Sequence, residues 1–162
     1  MWILIIISHI LMFISSIMLL FTSIKGHFIY DVETITIAPF SIIAVMVYVF
    51  TQSIIFFLLI NMNKQINNLI IEHSISIEKP TYVIYKRKMH IHTSLNLLYI
   101  STLEILFGAV HTGLMNIYIH QALFIIGSFY YLYVIKIQYF CFREMSEIIT
   151  RVNNIIVSKL EG

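Results

Sequence analysis

Four long apolar runs, each near the length a helix needs to cross about 30 Å of hydrocarbon, constrain this chain more than any motif does. They cover residues 2–24, 39–60, 92–112 and 117–142. Their many isoleucines favour strands in water. The apolar residues run continuously instead of alternating, however, and a segment surrounded by lipid has to satisfy its own backbone, so the runs read as helices. Pro39 stands where a helix tolerates proline, in the first turn of the second run. Residues 113–116 leave room only for a tight turn, so the third and fourth runs are expected to form an antiparallel hairpin. The first run is expected to remain as a span, since it is too long for a signal peptide and is followed by no small-x-small cleavage site.

Composition supports the same class. Only 11% of residues are charged against 59% hydrophobic, and a water-soluble domain carries roughly a quarter charged residues to solvate its surface. The single cysteine, Cys141, excludes a disulfide scaffold and the paired-thiol form of a membrane oxidoreductase. The expected fold is therefore all-α: one membrane domain, an integral four-helix up-down bundle, with a loop over 61–91 and an amphipathic helical tail over 143–162.

Charge gives the orientation. With four spans, both termini and the 61–91 loop share a side, which carries Lys64, Lys79, Lys86, Arg87, Lys88, Arg143, Arg151 and Lys159. The other side carries Lys25, and Lys136 lies within the fourth run, from which it can snorkel outward. The positive-inside rule then places both termini in the cytoplasm of a bacterial or archaeal cell, or in the mitochondrial matrix. The run Lys86-Arg87-Lys88 suits a membrane surface with anionic headgroups. The tail shows Met145, Ile148, Ile149, Val152, Ile155 and Ile156 at helical spacing. It extends the fourth helix or lies along the membrane, with another subunit as the sharper expectation for its partner.

Polar groups in hydrocarbon normally face the bundle interior. In the first run they recur every seven residues as Ser8/His9, Ser15/Ser16 and Thr22/Ser23, a spacing that suits close helix packing. In the second, Ser41, Ala44, Tyr48, Thr51 and Gln52 share a face. The third offers two neighbouring stripes, Thr93–Leu97–Glu104–Gly108–His111 and His92–Asn96–Tyr99. In the fourth, His120, Phe124, Gly127, Tyr131 and Gln138 fall together. Glu104 is the carboxylate in mid-span and needs either a proton and a hydrogen bond or a partner from elsewhere.

Histidines inside a helical bundle suggest axial ligation of b-type haem. His111 and His120 are the first pair to consider and His9 and His92 the second, with Gly108 and Gly127 leaving space beside a macrocycle. Neither pair meets every geometric demand. Haem needs its helices further apart than the 8–10 Å of packed neighbours, and His9 and His92 differ in depth by about 8 Å. Interior hydrogen bonding is the plain alternative for all four. His90-x-His92 lacks a third metal ligand. Nucleotide-binding and nucleophile-elbow motifs are missing, and the basic loop is too short to suggest nucleic acid.

The plan of four helices, interior histidines and a basic loop resembles the small cytochrome b anchors of respiratory complexes, at the level of architecture alone. The leading expectation is a small subunit of a larger membrane complex, of the respiratory or another redox kind, not catalytic by itself. It would anchor haem b or line a quinone site, with Glu104 as the proton or quinone group. One alternative is a purely structural accessory subunit without a cofactor. Another is a small proton or cation transporter that uses Glu104.

Overall fold

The structure, a computed structural model, describes residues 2–28, 34–72 and 80–161, with the side chains of 3, 5–24, 40–72, 83–107, 109–110 and 112–158 among them. The fold is all-α. Its elements are α1 (Trp2–Phe28), α2 (Thr34–Glu72), α3 (Pro80–His111) and α4 (Ile117–Glu161). Three stretches, Ile5–Ile24, Phe40–Glu72 and Ile117–Ser158, are long and apolar enough to cross a membrane. Among the described residues α3 supplies no such stretch.

Each helix runs antiparallel to the next. Along α2 and α3 the contacts Ser41–Glu104, Tyr48–Asn96, Phe56–His90 and Asn63–Lys86 ascend one helix while they descend the other. Along α3 and α4 the same pattern appears in Asn96–Gly127, Tyr99–Leu123 and Leu103–His120. α1 and α3 stand on the long diagonal and do not touch among the described residues, whereas α2 and α4 meet across the short one. The result is an up-down arrangement of four helices.

The α3–α4 turn is tight for a local reason. Gly113 takes a left-handed φ of 74°, and its N–H bonds the Val110 carbonyl at 3.1 Å while the Leu114 N–H bonds the Ala109 carbonyl at 2.9 Å. This is the Schellman ending, in which a glycine lets two orphaned carbonyls of the last turn find donors. Asn116 then caps α4 by accepting from the Tyr118 N–H at 2.9 Å.

Two boundaries differ from expectation, and the tail takes one of its two expected forms. The 61–91 segment is mostly helix: α2 continues through Glu72 and α3 starts at Pro80, with residues 73–79 outside the described ones. The charges at Lys64 and Lys86–Lys88 end an apolar run, but a helix needs no apolar run to continue. Pro39 falls sixth in α2 and not in its first turn, because the helix begins at Thr34. The tail belongs to α4, whose 45 residues span roughly 67 Å at 1.5 Å per residue.

These extensions make α2, α3 and α4 project past the start of α1. Their shared core is Met62, Ile66, Met89, Met145 and Ile149, all buried. Val152 is fully buried as well. Met145 and Ile149 of the tail's apolar stripe are thus covered by this chain's own α2 and α3, whereas Ile155 is 39% exposed.

Candidate functional site

The interior of the bundle is crossed by a seam of neutral polar side chains. Ser15 on α1, Gln52 on α2, Thr93 on α3, and Tyr131 and Gln138 on α4 are all fully buried. The Gln138 amide donates to Gln52 Oε1 at 2.8 Å and to Thr93 Oγ1 at 3.0 Å. Gln52 Nε2 donates to the Tyr131 hydroxyl at 2.9 Å. Ser15 spends its one proton on the Met12 carbonyl, so the Tyr131 hydroxyl is the donor in their 2.9 Å contact. The bonds therefore diverge from Gln138, one branch to Thr93 and the other through Gln52 and Tyr131 to Ser15, and tie all four helices.

A second strand of the seam lies beside the first. The Tyr48 hydroxyl donates to Asn96 Oδ1 at 2.6 Å, and Asn96 Nδ2 donates to the Gly127 carbonyl at 3.1 Å. The Tyr48 and Tyr131 rings join the two strands edge to face, 4.8 Å apart. Gly127 is required for this approach. A Cβ there would stand 2.6 Å from the Tyr99 ring and 2.7 Å from Ile100 Cδ1. The free face of this glycine is thus filled by Tyr99 and Ile100 of α3.

The small hydroxyl residues of α1 supply the close packing their spacing implies. Ser8, Ser16 and Thr22 bond carbonyls of their own helix, as hydroxyls do when no other acceptor is available. Ser23 also reaches Ser128 on α4 at 2.8 Å. In chemical terms the seam holds neutral amides and hydroxyls, which fix helix register and rotation and offer no charged group for catalysis.

Of the expected haem residues, the side chains of His9, His92 and His120 are described, and each hydrogen-bonds a protein group. His120 is buried near the α3–α4 turn, and its Nε2 donates to the Leu103 carbonyl at 2.8 Å. The cavity beside it, which Thr22, Ser41 and Phe107 also line, has a volume of about 40 Å³, room for one or two waters. His92 bonds the Tyr130 hydroxyl through Nδ1 at 2.5 Å and stands edge to face with Tyr133. His9 lies toward the other end of the bundle, and its Nδ1 donates to the Ile5 carbonyl at 2.7 Å. The side chains of His111 and Gly108 lie outside the described residues. Among the described residues no group of three His, Cys, Asp or Glu side chains could hold a metal ion.

Glu104 is half-buried at the α2–α3 contact, not in the seam, and accepts a hydrogen bond from Ser41 Oγ at 3.0 Å. The interior face of α3 runs through Met89, Thr93, Asn96, Ile100 and Leu103, between the two stripes that periodicity offers. Of the basic run, Lys86 donates to Asn63 Oδ1 at 2.8 Å and Lys88 stands 5.8 Å from the Tyr133 ring centroid. Lys86, Arg87 and His90 line a groove of about 400 Å³ between α2 and α3, over Phe56, Leu59 and Ile60.

The cross-helix pairs of the seam were not predicted, although most of its members stand on the faces that helical periodicity selects. Comparison with protein-family models, with curated proteins and with solved structures finds no match to this chain.

Proposed function

We propose that this chain is an integral membrane protein and acts as a small accessory subunit of a larger membrane complex, with its polar seam holding four helices in register. The observation that carries the reading is the inverted distribution of polarity. The fully buried positions include Ser15, Gln52, Thr93, Asn96 and Gln138. Large apolar side chains stand exposed on all four helices, among them Phe13 at 66%, Met46 at 66%, Leu98 at 69% and Phe129 at 61%. Monomeric soluble proteins rarely expose apolar patches beyond a few hundred Å², whereas lipid solvates such a surface. The seam's amides and hydroxyls supply the interhelical bonds that such bundles use where the hydrophobic effect offers little discrimination.

The cationic residues orient the bundle with both termini on the cytoplasmic or matrix side. Purification from membranes in a mild detergent, followed by native mass spectrometry, tests the proposal. Stoichiometric co-purifying membrane proteins are expected. A chain released by alkaline carbonate would overturn the membrane reading, and a partner-free chain of full stability would overturn the subunit reading. The redox form of the proposal gains support only if the purified complex shows a reduced b-type α-band that His9 or His120 substitution removes.

A further inference from the structure

α1 begins at Trp2, whereas α4 runs on to Glu161 on the same end of the molecule. The contacts Ser15–Tyr131 and His9–Tyr139 place the first turns of α1 beside residues 142–147 of α4. Beyond that level no described residue of α1 stands beside α4. A cavity of about 420 Å³ opens at this step, between α1 and α4.

Its walls are of two kinds. Ile5, Phe142 and the Tyr139 ring form an apolar floor, and Tyr139 is 49% exposed on the outer face. Arg143 and Arg151 form the rim, about one and three turns beyond Tyr139 toward the end of α4, with Glu147 between them. Arg143 Nε stands 3.1 Å from Glu147 Oε1, and an Arg151 guanidinium nitrogen stands 3.8 Å from Glu147 Oε2. One carboxylate engages one nitrogen of each guanidinium, and each guanidinium has five N–H donors. The trio keeps a net positive charge and most of its donors. At the deep end, His9 Nδ1–H is committed to the Ile5 carbonyl, and its buried Nε2 has no hydrogen-bond partner. A hydrocarbon tail alone would leave that nitrogen unsatisfied, whereas a polar headgroup or its water would not.

We propose that this step is a binding site for one anionic phospholipid of the leaflet on the side of the termini. Its phosphate sits on Arg143 and Arg151, its glycerol and ester linkages lie over Ile5 and Phe142 and reach His9, and its acyl chains run on past Tyr139. Guanidinium forks match phosphate oxygens in pairs, and the charge stands at the rim of an apolar floor, as it does in a lipid. The inference rests on the membrane reading above.

The test uses the full chain in neutral-detergent micelles that contain equal amounts of phosphatidylglycerol and phosphatidylcholine, with retained lipid read by native mass spectrometry. The wild type is expected to retain one phosphatidylglycerol per chain in preference to phosphatidylcholine. An Arg143→Gln/Arg151→Gln double variant is expected to lower that preference about tenfold. The charge-keeping Arg143→Lys/Arg151→Lys double variant should retain most of it, and Lys64→Gln, which removes an exposed charge on α2, should leave it unchanged. Equal retention of the two lipids by the wild type overturns the proposal, a result that does not depend on any variant folding. So does displacement of the lipid by millimolar inorganic phosphate, which would mark a free-anion site. A chain that resists carbonate extraction yet shows no lipid preference refutes this inference alone, whereas one that carbonate releases refutes the membrane reading beneath it.

Discussion

The half of the bundle near the termini and the half near the α3–α4 turn are held together by different means. Toward the termini the core is aliphatic and methionine-rich, with Met12, Leu58, Met62, Ile66, Met89, Met145 and Ile149 in one cluster. Toward the turn the core is built on Tyr48, Tyr131 and Phe124 and is laced by the bonds of Asn96, Gln52 and Gln138. The difference matches what each half has to do. Where three helices project beyond α1, burying methionine and isoleucine removes apolar surface from water, and that drives packing without any need for directional bonds. On the membrane reading the other half is sheathed in lipid, where an apolar side chain gains little by leaving lipid for protein. Close backbone approach and hydrogen bonds decide there which face meets which.

This contrast predicts that the largest single loss comes from the terminal half. Met145 is fully buried between α2, α3 and α4, so Met145→Ala removes both its transfer free energy and its packing partners. The expected loss is about 2–5 kcal/mol, read as a lower sodium dodecyl sulfate midpoint for helix loss in micelles. A shift no larger than that of a surface substitution would mean that the projecting helices are not held by their own core. Gly127→Ala comes next and tests the other half. The new methyl group would clash with the Tyr99 ring, which the Tyr99–Leu123 bond holds in place, and the expected loss is about 1–3 kcal/mol.

Gln138→Met probes the seam itself with little change in volume. It removes the donor to both Gln52 and Thr93, while the Gln138 Oε1 atom it also deletes has no partner to lose. Interhelical bonds of this kind average well under the value of a packed methionine, so the expected loss is about 1 kcal/mol. A loss larger than that of Met145→Ala, measured the same way, would reverse the comparison and make the seam the main source of stability.

The faces of α1, α2 and α4 were legible in the sequence because a 100° repeat decides them locally. Ser8, Ser15 and Ser23, then Ala44, Tyr48 and Gln52, then His120, Phe124, Tyr131 and Gln138 are all buried as that repeat predicts. The face of α3 was not, because its two polar stripes are adjacent and only the positions of Tyr48 and Gly127 select Asn96 over Glu104. The helical extensions over residues 61–72 and 80–91 were missed for a different reason. Hydropathy marks where a chain leaves lipid, and a helix stabilised by Met62, Met89 and Met145 from three separate segments does not end there. Nor does periodicity reveal that the histidines point to different ends of the bundle, since depth depends on which helices pair and in what register.

The smallest effect is expected at the residue that the sequence marks most strongly. Glu104 lies on the α2–α3 contact and outside the seam, where Ser41 Oγ donates to its Oε2. Glu104→Gln keeps an acceptor oxygen for that bond and removes only the charge, so the bundle should lose less than about 0.5 kcal/mol. Glu104→Leu instead leaves the Ser41 hydroxyl to find another acceptor and should cost somewhat more. On the accessory-subunit reading, neither change alters turnover of the assembled complex per copy of this chain. On the transporter reading, proton or cation flux in liposomes falls with Glu104→Gln even though stability does not. An unchanged midpoint together with a lost flux would therefore transfer function to the half of the bundle near the turn, and would show that its polar residues serve more than packing.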